Sequence, residues 1–194
     1  DASLGLNFAG VNYYDGQGFM VKSSLGVSSA LELGGAAVCI QAGTTTELNL
    51  ADWGKQNGID YQSVVSDTNG QTLTNYESGR CDVLTTDASG LYSLRAASND
   101  PSEHVVLPEI ISKEPLGPVV RQGDDQWFNI VRWSLNAMIT AEELGVTSAT
   151  VDDVTNNPER ERLMGRSGNT HEYVGLTPDW TYNIVSQVGN YSES

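Results

Sequence analysis

Apolar and polar residues alternate in blocks along the first half of the chain, and the blocks predict strands and helices by turns. Short apolar runs typical of buried strands occur near 18–21, 36–41, 61–65, 82–86 and 104–109. The stretches between them, 46–57, 70–78 and 89–97, have helical spacing, and the first two end at Gly58 and Gly79. This order predicts an α/β fold with a parallel-dominated sheet covered by helices.

The pattern changes after Pro108. Residues 110–121 contain two prolines and predict an extended crossover. A long helix is then predicted from Asp124 to Gly145, with apolar residues at helical spacing. They are Trp127, Ile130, Val131, Leu135, Met138, Ile139 and Leu144. Such a stripe predicts a packing face rather than a cofactor site.

Both ends of the chain are predicted to be less regular. Residues 1–18 are rich in Gly, Asn and Tyr and predict a loop. Short, charged helical turns are predicted over 150–166. Thr177 and Pro178 predict the N-cap and first residue of a last helix that ends at Gly189.

The candidate binding site lies where the strand 36–41 runs into a glycine and three threonines. Thr44, followed three residues later by Glu47, predicts a capping box at a helix start. Such a turn offers N–H groups, hydroxyls and a positive helix dipole to a carboxylate or phosphate. The strand 82–86 ends in Asp87, and parallel strands open at one sheet edge. An anion receptor beside a lone carboxylate suits a zwitterion such as an amino acid.

Charge and motifs narrow the function further. The formal net charge is −15, from 25 acidic and 10 basic side chains, which argues against nucleic acid or an anionic membrane as partner. His104 and His171 lie far apart and lack the spacing of zinc ligands. The sequence has no nucleophile elbow, Walker loop or Rossmann fingerprint. We therefore predict no catalytic residue, metal or cofactor.

Cys39 and Cys81 leave two alternatives open. Both lie in or beside strands that are predicted neighbours, so a disulfide fits an oxidising compartment. However, Cys39 is in the middle of its strand and Cys81 at the start of another, an offset that approaches the limit of about 7 Å between Cα atoms. The other alternative is two small buried apolar residues.

Four segments of this chain resemble a known family. They are Tyr13-Tyr14-Asp15-Gly16-Gln17-Gly18-Phe19-Met20-Val21, Gly43-Thr44-Thr45-Thr46-Glu47-Leu48-Asn49-Leu50-Ala51-Asp52, Cys81-Asp82-Val83-Leu84-Thr85-Thr86-Asp87 and Leu107-Pro108-Glu109-Ile110-Ile111-Ser112-Lys113-Glu114-Pro115-Leu116-Gly117-Pro118. Together they resemble the periplasmic general L-amino-acid-binding proteins of polar-amino-acid ABC transporters. The chain is also similar to the branch that takes glutamate, glutamine, aspartate and asparagine.

The resemblance implies a type II periplasmic-binding-protein fold with two lobes and two hinge strands. Residues 1–22 would hold a residual first-lobe segment and the first hinge strand, and 23–106 the second lobe. Residues 107–121 would form the second hinge strand, and 122–194 the helical return segment of the first lobe. The chain would then be an internal fragment without most of the first lobe, including an arginine that clamps the ligand carboxylate.

The resemblance also implies ligand contacts in the second lobe. Thr45 matches a threonine that binds the α-carboxylate, with Thr44 and Thr46 beside it. Asp87 matches an aspartate that pairs with the α-ammonium, which needs an acceptor of opposite charge. Gln41, Thr86 and Ser89 are expected to line the side-chain pocket.

The expected function is therefore that of a periplasmic, non-enzymatic solute-binding component of an amino-acid ABC importer. It would bind polar or acidic L-amino acids between two lobes and present them to membrane permease subunits. One alternative is a truncated interaction module that forms a homodimer through an exposed helix face with Trp127, Trp133, Leu135 and Met138. Another is an enzyme that uses the threonine turn to hold a substrate carboxylate. Without the arginine, we expect amino-acid binding to be weak or undetectable.

Overall fold

The structure is a computed structural model that describes residues 2–155 and 157–194. The strands are β1 (Leu6–Phe8), β2 (Tyr13–Asp15), β3 (Gln17–Lys22), β4 (Ala37–Gln41), β5 (Gln62–Ser66), β6 (Val83–Asp87), β7 (His104–Val106), β8 (Glu114–Leu116) and β9 (Val119–Arg121). The α-helices are α1 (Thr45–Asn57), α2 (Asn69–Glu77), α3 (Ala88–Ala97), α4 (Asp125–Glu143), α5 (Pro158–Leu163) and α6 (Trp180–Gln187).

The chain divides into two compact units. Unit 1 comprises Asp1–Tyr13 and Leu116–Ser194, and unit 2 comprises Tyr14–Pro115. The chain therefore passes from one unit to the other within β2 and within β8. The assignment of these parts to lobes and hinges stays a prediction.

Unit 2 is built on a five-stranded sheet in the order β5-β4-β6-β3-β7. β4 is parallel to both β5 and β6, whereas β3 is antiparallel to β6 and to β7. Four strands thus run in one direction and β3 alone runs against them. The sheet is mixed, and the predicted α/β class with a parallel-dominated sheet is confirmed.

Alternating side chains bury both faces of this sheet, because successive strand residues point to opposite sides. On one face, Phe19, Val38 and Val83 pack with Leu50 of α1. On the other face, a second core cluster joins the sheet to α2 and α3. Its members are Met20, Cys39, Tyr76, Cys81, Leu84 and Leu91. The continuous apolar runs of the central strands follow from this two-sided burial.

Cys39 and Cys81 form a disulfide with Cα atoms 5.7 Å apart. The offset between them is closed because the segment before β6 folds back onto β4. The Asp82 N–H donates to the Ala37 carbonyl at 2.8 Å, and the Asp82 carboxylate accepts from the Ala37 N–H at 2.9 Å.

Unit 1 is mainly helical. In it β1 pairs with β9. The loop predicted over 1–18 is therefore wrong at Leu6–Phe8, and it is also wrong at Tyr13–Asp15, which forms β2. Its core cluster connects α4, α5, α6 and the segments between them. The cluster consists of Ala141, Val146, Val151, Val154, Met164 and Val185. None of the described helices is both long enough and apolar enough to cross a membrane.

The start of the last helix differs from the prediction. α6 begins at Trp180 with Asp179 at its N-cap, two residues after the predicted first residue, Pro178. Thr177 instead closes a turn in which its carbonyl accepts from the Trp180 N–H at 3.1 Å. The Thr-Pro signal therefore marks a turn that precedes the helix.

Candidate functional site

The threonine turn and Asp87 lie at one edge of the sheet of unit 2. β4 and β6 are parallel neighbours in which Cys39 is level with Leu84. Three residues further along the same register, Ala42 is level with Asp87. The carboxyl ends of both strands therefore open at the same edge, where α/β proteins bind ligands. The prediction that both features share an edge is confirmed.

The turn before α1 has a different cap from the predicted one. Thr44 is the N-cap residue, but its side chain accepts no hydrogen bond from the first helical turn. Its hydroxyl instead donates to the Gln41 carbonyl at 2.9 Å. The Glu47 carboxylate accepts from the Gly43 N–H at 3.0 Å, one residue before the expected donor. The reciprocal capping box is therefore wrong, and α1 begins at Thr45, one residue before the predicted start.

This arrangement leaves the start of α1 able to receive an anion. The first N–H groups of a helix have no partner within the helix, and the dipole is positive there. Because the Thr44 hydroxyl is turned to Gln41, it does not occupy them. Thr45 is solvent-exposed, whereas Thr46 is partly buried.

Asp87 occupies the N-cap position of α3, but its carboxylate makes no capping hydrogen bond. Asp15, at the end of β2, supplies the acceptor instead. Its carboxylate accepts from the Ser89 N–H at 3.3 Å, from the Ser89 hydroxyl, and from the Gly16 N–H at 2.8 Å. The common structural role of an aspartate before a helix is therefore carried out by Asp15, and the Asp87 carboxylate is left for other contacts.

The pKa values of Asp15 and Asp87 are shifted in opposite directions. Burial raises the pKa of Asp87, and the negative charges of Asp15 and Glu114 raise it further. Burial also opposes ionisation of Asp15, but hydrogen bonds from Ser89 and Gly16 outweigh it and lower the pKa of Asp15. Asp87 is thus a partly desolvated anion among other anions, and a cation beside it would relieve this repulsion.

The three residues predicted to line the side-chain pocket lie near this edge, and they differ in their contacts. Gln41 donates from its amide to the Asp67 carbonyl at 3.1 Å. The Ser89 hydroxyl is engaged by Asp15. Thr86 is half-buried on β6, level with Gly18 of β3. Their role as a ligand pocket stays a prediction.

Sequence reasoning missed two residues of this edge, Asp15 and Gln17. Gln17 is fully buried, and its amide donates to the Thr46 carbonyl at 3.1 Å and to the Thr85 hydroxyl at 2.9 Å. The signal in the sequence is a glycine, Gly16, with a polar residue on each side, Asp15 and Gln17. A Cβ atom at Gly16 would collide with Ile110 Cγ2 and lie 2.5 Å from the Ser112 carbonyl oxygen, so only glycine fits there.

The comparisons with known proteins identify relatives along the whole chain. No protein-family profile matches it. It is 57% identical over 197 residues to the general L-amino acid-binding periplasmic protein AapJ of Rhizobium johnstonii. It is 52% identical over 198 residues to the glutamate/glutamine/aspartate/asparagine-binding protein BztA of Rhodobacter capsulatus. Both alignments cover 100% of this chain but 58% of the relative, so the chain spans little more than half the length of these proteins.

Solved structures agree with the sequence relatives. An ABC transporter periplasmic binding protein from Brucella ovis with glutathione bound superposes with a TM-score of 0.95 at 51% identity, over 100% of this chain and 62% of that one. An ancestral arginine-binding protein, at 24% identity and a TM-score of 0.56 over 69% of this chain, supports the fold alone. The relatives are periplasmic solute-binding proteins and not enzymes, which confirms the predicted functional class of a periplasmic, non-enzymatic binding protein. Over its full length, the chain is homologous to part of the periplasmic amino-acid-binding proteins of ABC transporters.

Proposed function

We propose that unit 2 binds the α-amino-acid head group of a ligand at the shared edge of β4 and β6. The first turn of α1, which begins at Thr45, receives the α-carboxylate. Asp87 accepts hydrogen bonds from the α-ammonium. The observation that carries this proposal is the Asp87 carboxylate, which makes no capping hydrogen bond because Asp15 accepts from the start of α3 instead, and whose pKa is raised by burial and by the negative charges of Asp15 and Glu114.

The two halves of this receptor differ in the charge they accept, and together they match a zwitterion. The helix start supplies N–H donors and the exposed Thr45 hydroxyl to an anion. Asp87 supplies a charge-assisted acceptor, which is roughly twice as strong as a neutral one. A simple carboxylic acid would leave Asp87 without a partner, and a simple amine would leave the helix start empty.

The ligands named for the relatives share this head group. Glutamate, glutamine, aspartate and asparagine carry it, and so does the γ-glutamyl end of glutathione, which keeps a free α-carboxylate and α-ammonium. We therefore propose polar and acidic L-amino acids as the ligand class. Gln41, Thr86 and Ser89 are the proposed contacts to the ligand side chain. The whole protein would act as the solute-binding component of an amino-acid ABC importer and deliver its ligand to the permease subunits.

Isothermal titration with glutamate, glutamine, aspartate and asparagine tests this proposal. Asp87→Asn removes the charge but keeps the size of the side chain, and we expect it to weaken binding by about 2–5 kcal/mol, roughly thirty-fold or more. Asp52→Asn, at an exposed position of α1, is the matched control because it makes the same charge change away from the edge. Equal affinity of Asp87→Asn and the unsubstituted protein would refute the assignment.

A second candidate is self-association through α4. The observation that favours it is the exposure of two large aromatic side chains, Trp127 at 52% and Trp133 at 51%. Leu135 is buried and Met138 is half-buried, so of the four predicted interface residues the two tryptophans are the most available. The proposed occupant of this face is a second copy of the chain.

A further inference from the structure

Gln17 is a fully buried polar residue at the start of β3, in the centre of the candidate site. Its Cα is level with that of Asp87 on β6. Its side-chain amide reaches the first turn of α1, where it donates to the Thr46 carbonyl at 3.1 Å. Gln17 therefore touches the element proposed to hold the carboxylate and pairs with the residue proposed to hold the ammonium.

The hydrogen bonds around Gln17 fix the orientation of its amide. The Thr85 hydroxyl donates to the Gly18 carbonyl at 2.7 Å, so it must accept from the Gln17 amide at 2.9 Å. Nε2 is thus the atom that faces both Thr85 and Thr46. The backbone N–H of Gln17 donates to the Ser112 hydroxyl at 3.0 Å, which holds this end of β3 in place. One side chain therefore ties three elements, α1, β3 and β6, together.

The same amide leaves its oxygen without a partner. Within residues 2–155 and 157–194, only Gln17 Oε1 and Arg160 Nε are buried side-chain polar atoms that lack a hydrogen bond. An unsatisfied buried acceptor is unfavourable for folding. An apolar side chain of similar size would fill this position without that penalty. It would also lose both donated bonds, so what distinguishes Gln17 from an apolar residue is its link to Thr46 and Thr85.

From these contacts we infer that Gln17 is a positioning residue, which fixes the first turn of α1 relative to Asp87. The inference rests on the proposed function, because the two groups it aligns are the proposed receptors of the carboxylate and the ammonium. Gln17 is fully buried and does not itself touch the ligand. It acts through the Thr46 carbonyl, which belongs to the same turn as Thr45.

Gln17→Met tests the inference, since methionine is similar in size but has neither the donors nor the unpartnered acceptor. We expect hydrogen exchange in a peptide spanning 43–50 to become about tenfold faster. Exchange in a peptide spanning 69–77, within α2, should stay unchanged. Thr85→Val is the matched variant, because it removes the contact with β6 but keeps the Gln17–Thr46 bond. It should leave exchange over 43–50 close to that of the unsubstituted protein.

Ligand affinity separates positioning from general stability. Gln17→Met should weaken glutamine binding about tenfold in the unsubstituted background but much less in the Asp87→Asn background, since an aligned pair is lost only once. Faster exchange over the entire chain, unchanged exchange over 43–50, or fully additive losses of affinity would overturn the inference. If the unsubstituted protein binds no amino acid, the proposed function fails, while the exchange data still decide whether Gln17 anchors the turn. Should Gln17→Met not fold, Gln17→Asn replaces it, because its shorter amide cannot reach Thr46.

Discussion

Two aspartates at one sheet edge have different chemistry because different groups donate to them. Asp15 accepts hydrogen bonds from Ser89 and Gly16 and caps α3, so its charged form is favoured. Asp87 stands next to the same helix without capping it, and its charged form is disfavoured by burial and by the neighbouring carboxylates. Asp15 thus stabilises the fold, whereas the Asp87 carboxylate is left to bind a ligand.

Because the pKa of Asp15 is lowered in the fold, the free energy of unfolding should depend on pH. A carboxylate whose pKa is lower in the folded state than in the unfolded state stabilises the fold above its unfolded pKa, about 3.9. That stabilisation is lost as the pH falls through the folded value. At pH near 7, Asp15→Asn should lower the free energy of unfolding by about 1–2 kcal/mol, because hydrogen bonds to a charged carboxylate are stronger than those to a neutral amide.

Urea unfolding at several pH values measures this difference. The two proteins should begin to converge as the pH falls below about 4, where Asp15 gains its proton in the unfolded chain, and should converge fully below the lowered pKa of Asp15 in the folded protein. Asp52→Asn serves as the charge control. A gap that stays constant down to the most acidic pH, or that grows on acidification, would contradict a stabilising ionised Asp15.

At the scale of elements, the sequence predicts those that a local pattern defines and misses those that depend on a distant partner. β4, β6, α1 and α2 were expected from local pattern, because an unbroken apolar run or a glycine stop is visible within each segment. The strands β1, β2, β8 and β9 have three residues each, too few for any period, and each of them is defined by a strand about a hundred residues away.

The same contrast between local pattern and distant partners holds for the residues of the candidate site. The threonine turn and Asp87 could be assigned because each ends a predicted strand. Asp15 and Gln17 could not, since their partners Ser89 and Thr85 lie 74 and 68 residues away. The capping box failed for a local reason: the Thr44 hydroxyl satisfies the Gln41 carbonyl, a competing acceptor three residues back.

The disulfide joins the two elements that carry the site. Cys39 lies on β4 and Cys81 directly precedes β6, and the bond closes a loop with a sequence separation of 42. A cross-link of this length restricts the unfolded chain, and its removal should lower the free energy of unfolding by about 2–4 kcal/mol. Urea unfolding with and without a reductant measures the effect, which we expect to be absent from a Cys39→Ala/Cys81→Ala variant. Equal midpoints for the oxidised and reduced protein would contradict it.

At the scale of the whole molecule, the acidic surface and the apolar helix face favour different partners. The net charge of −15 opposes contact with other acidic surfaces, a second copy of this chain included. The exposed tryptophans of α4 act in the opposite direction, since burying a large apolar side chain contributes about 1.5–3 kcal/mol. Because charge repulsion is screened by salt and apolar burial is not, self-association should strengthen as the salt concentration rises.

Light scattering across micromolar concentrations at low and high salt tests that balance. We expect a dimer of the 194-residue chain that Trp127→Ser and Trp133→Ser each weaken and that the double variant abolishes. The two residues are six positions apart on α4, which puts them about 120° apart around a helix, so each should contribute separately. Trp133 also lines a cavity of about 680 Å³ with Tyr173 and Trp180, where its indole is partly covered within unit 1. Its replacement should therefore weaken the dimer less than that of Trp127.

Tyr14→Ser is the control, because it removes an aromatic side chain that is 70% exposed in unit 2. A monomeric mass at every salt concentration would rule out the helix face as a self-association surface, whereas a dimer insensitive to both tryptophans would assign the interface elsewhere.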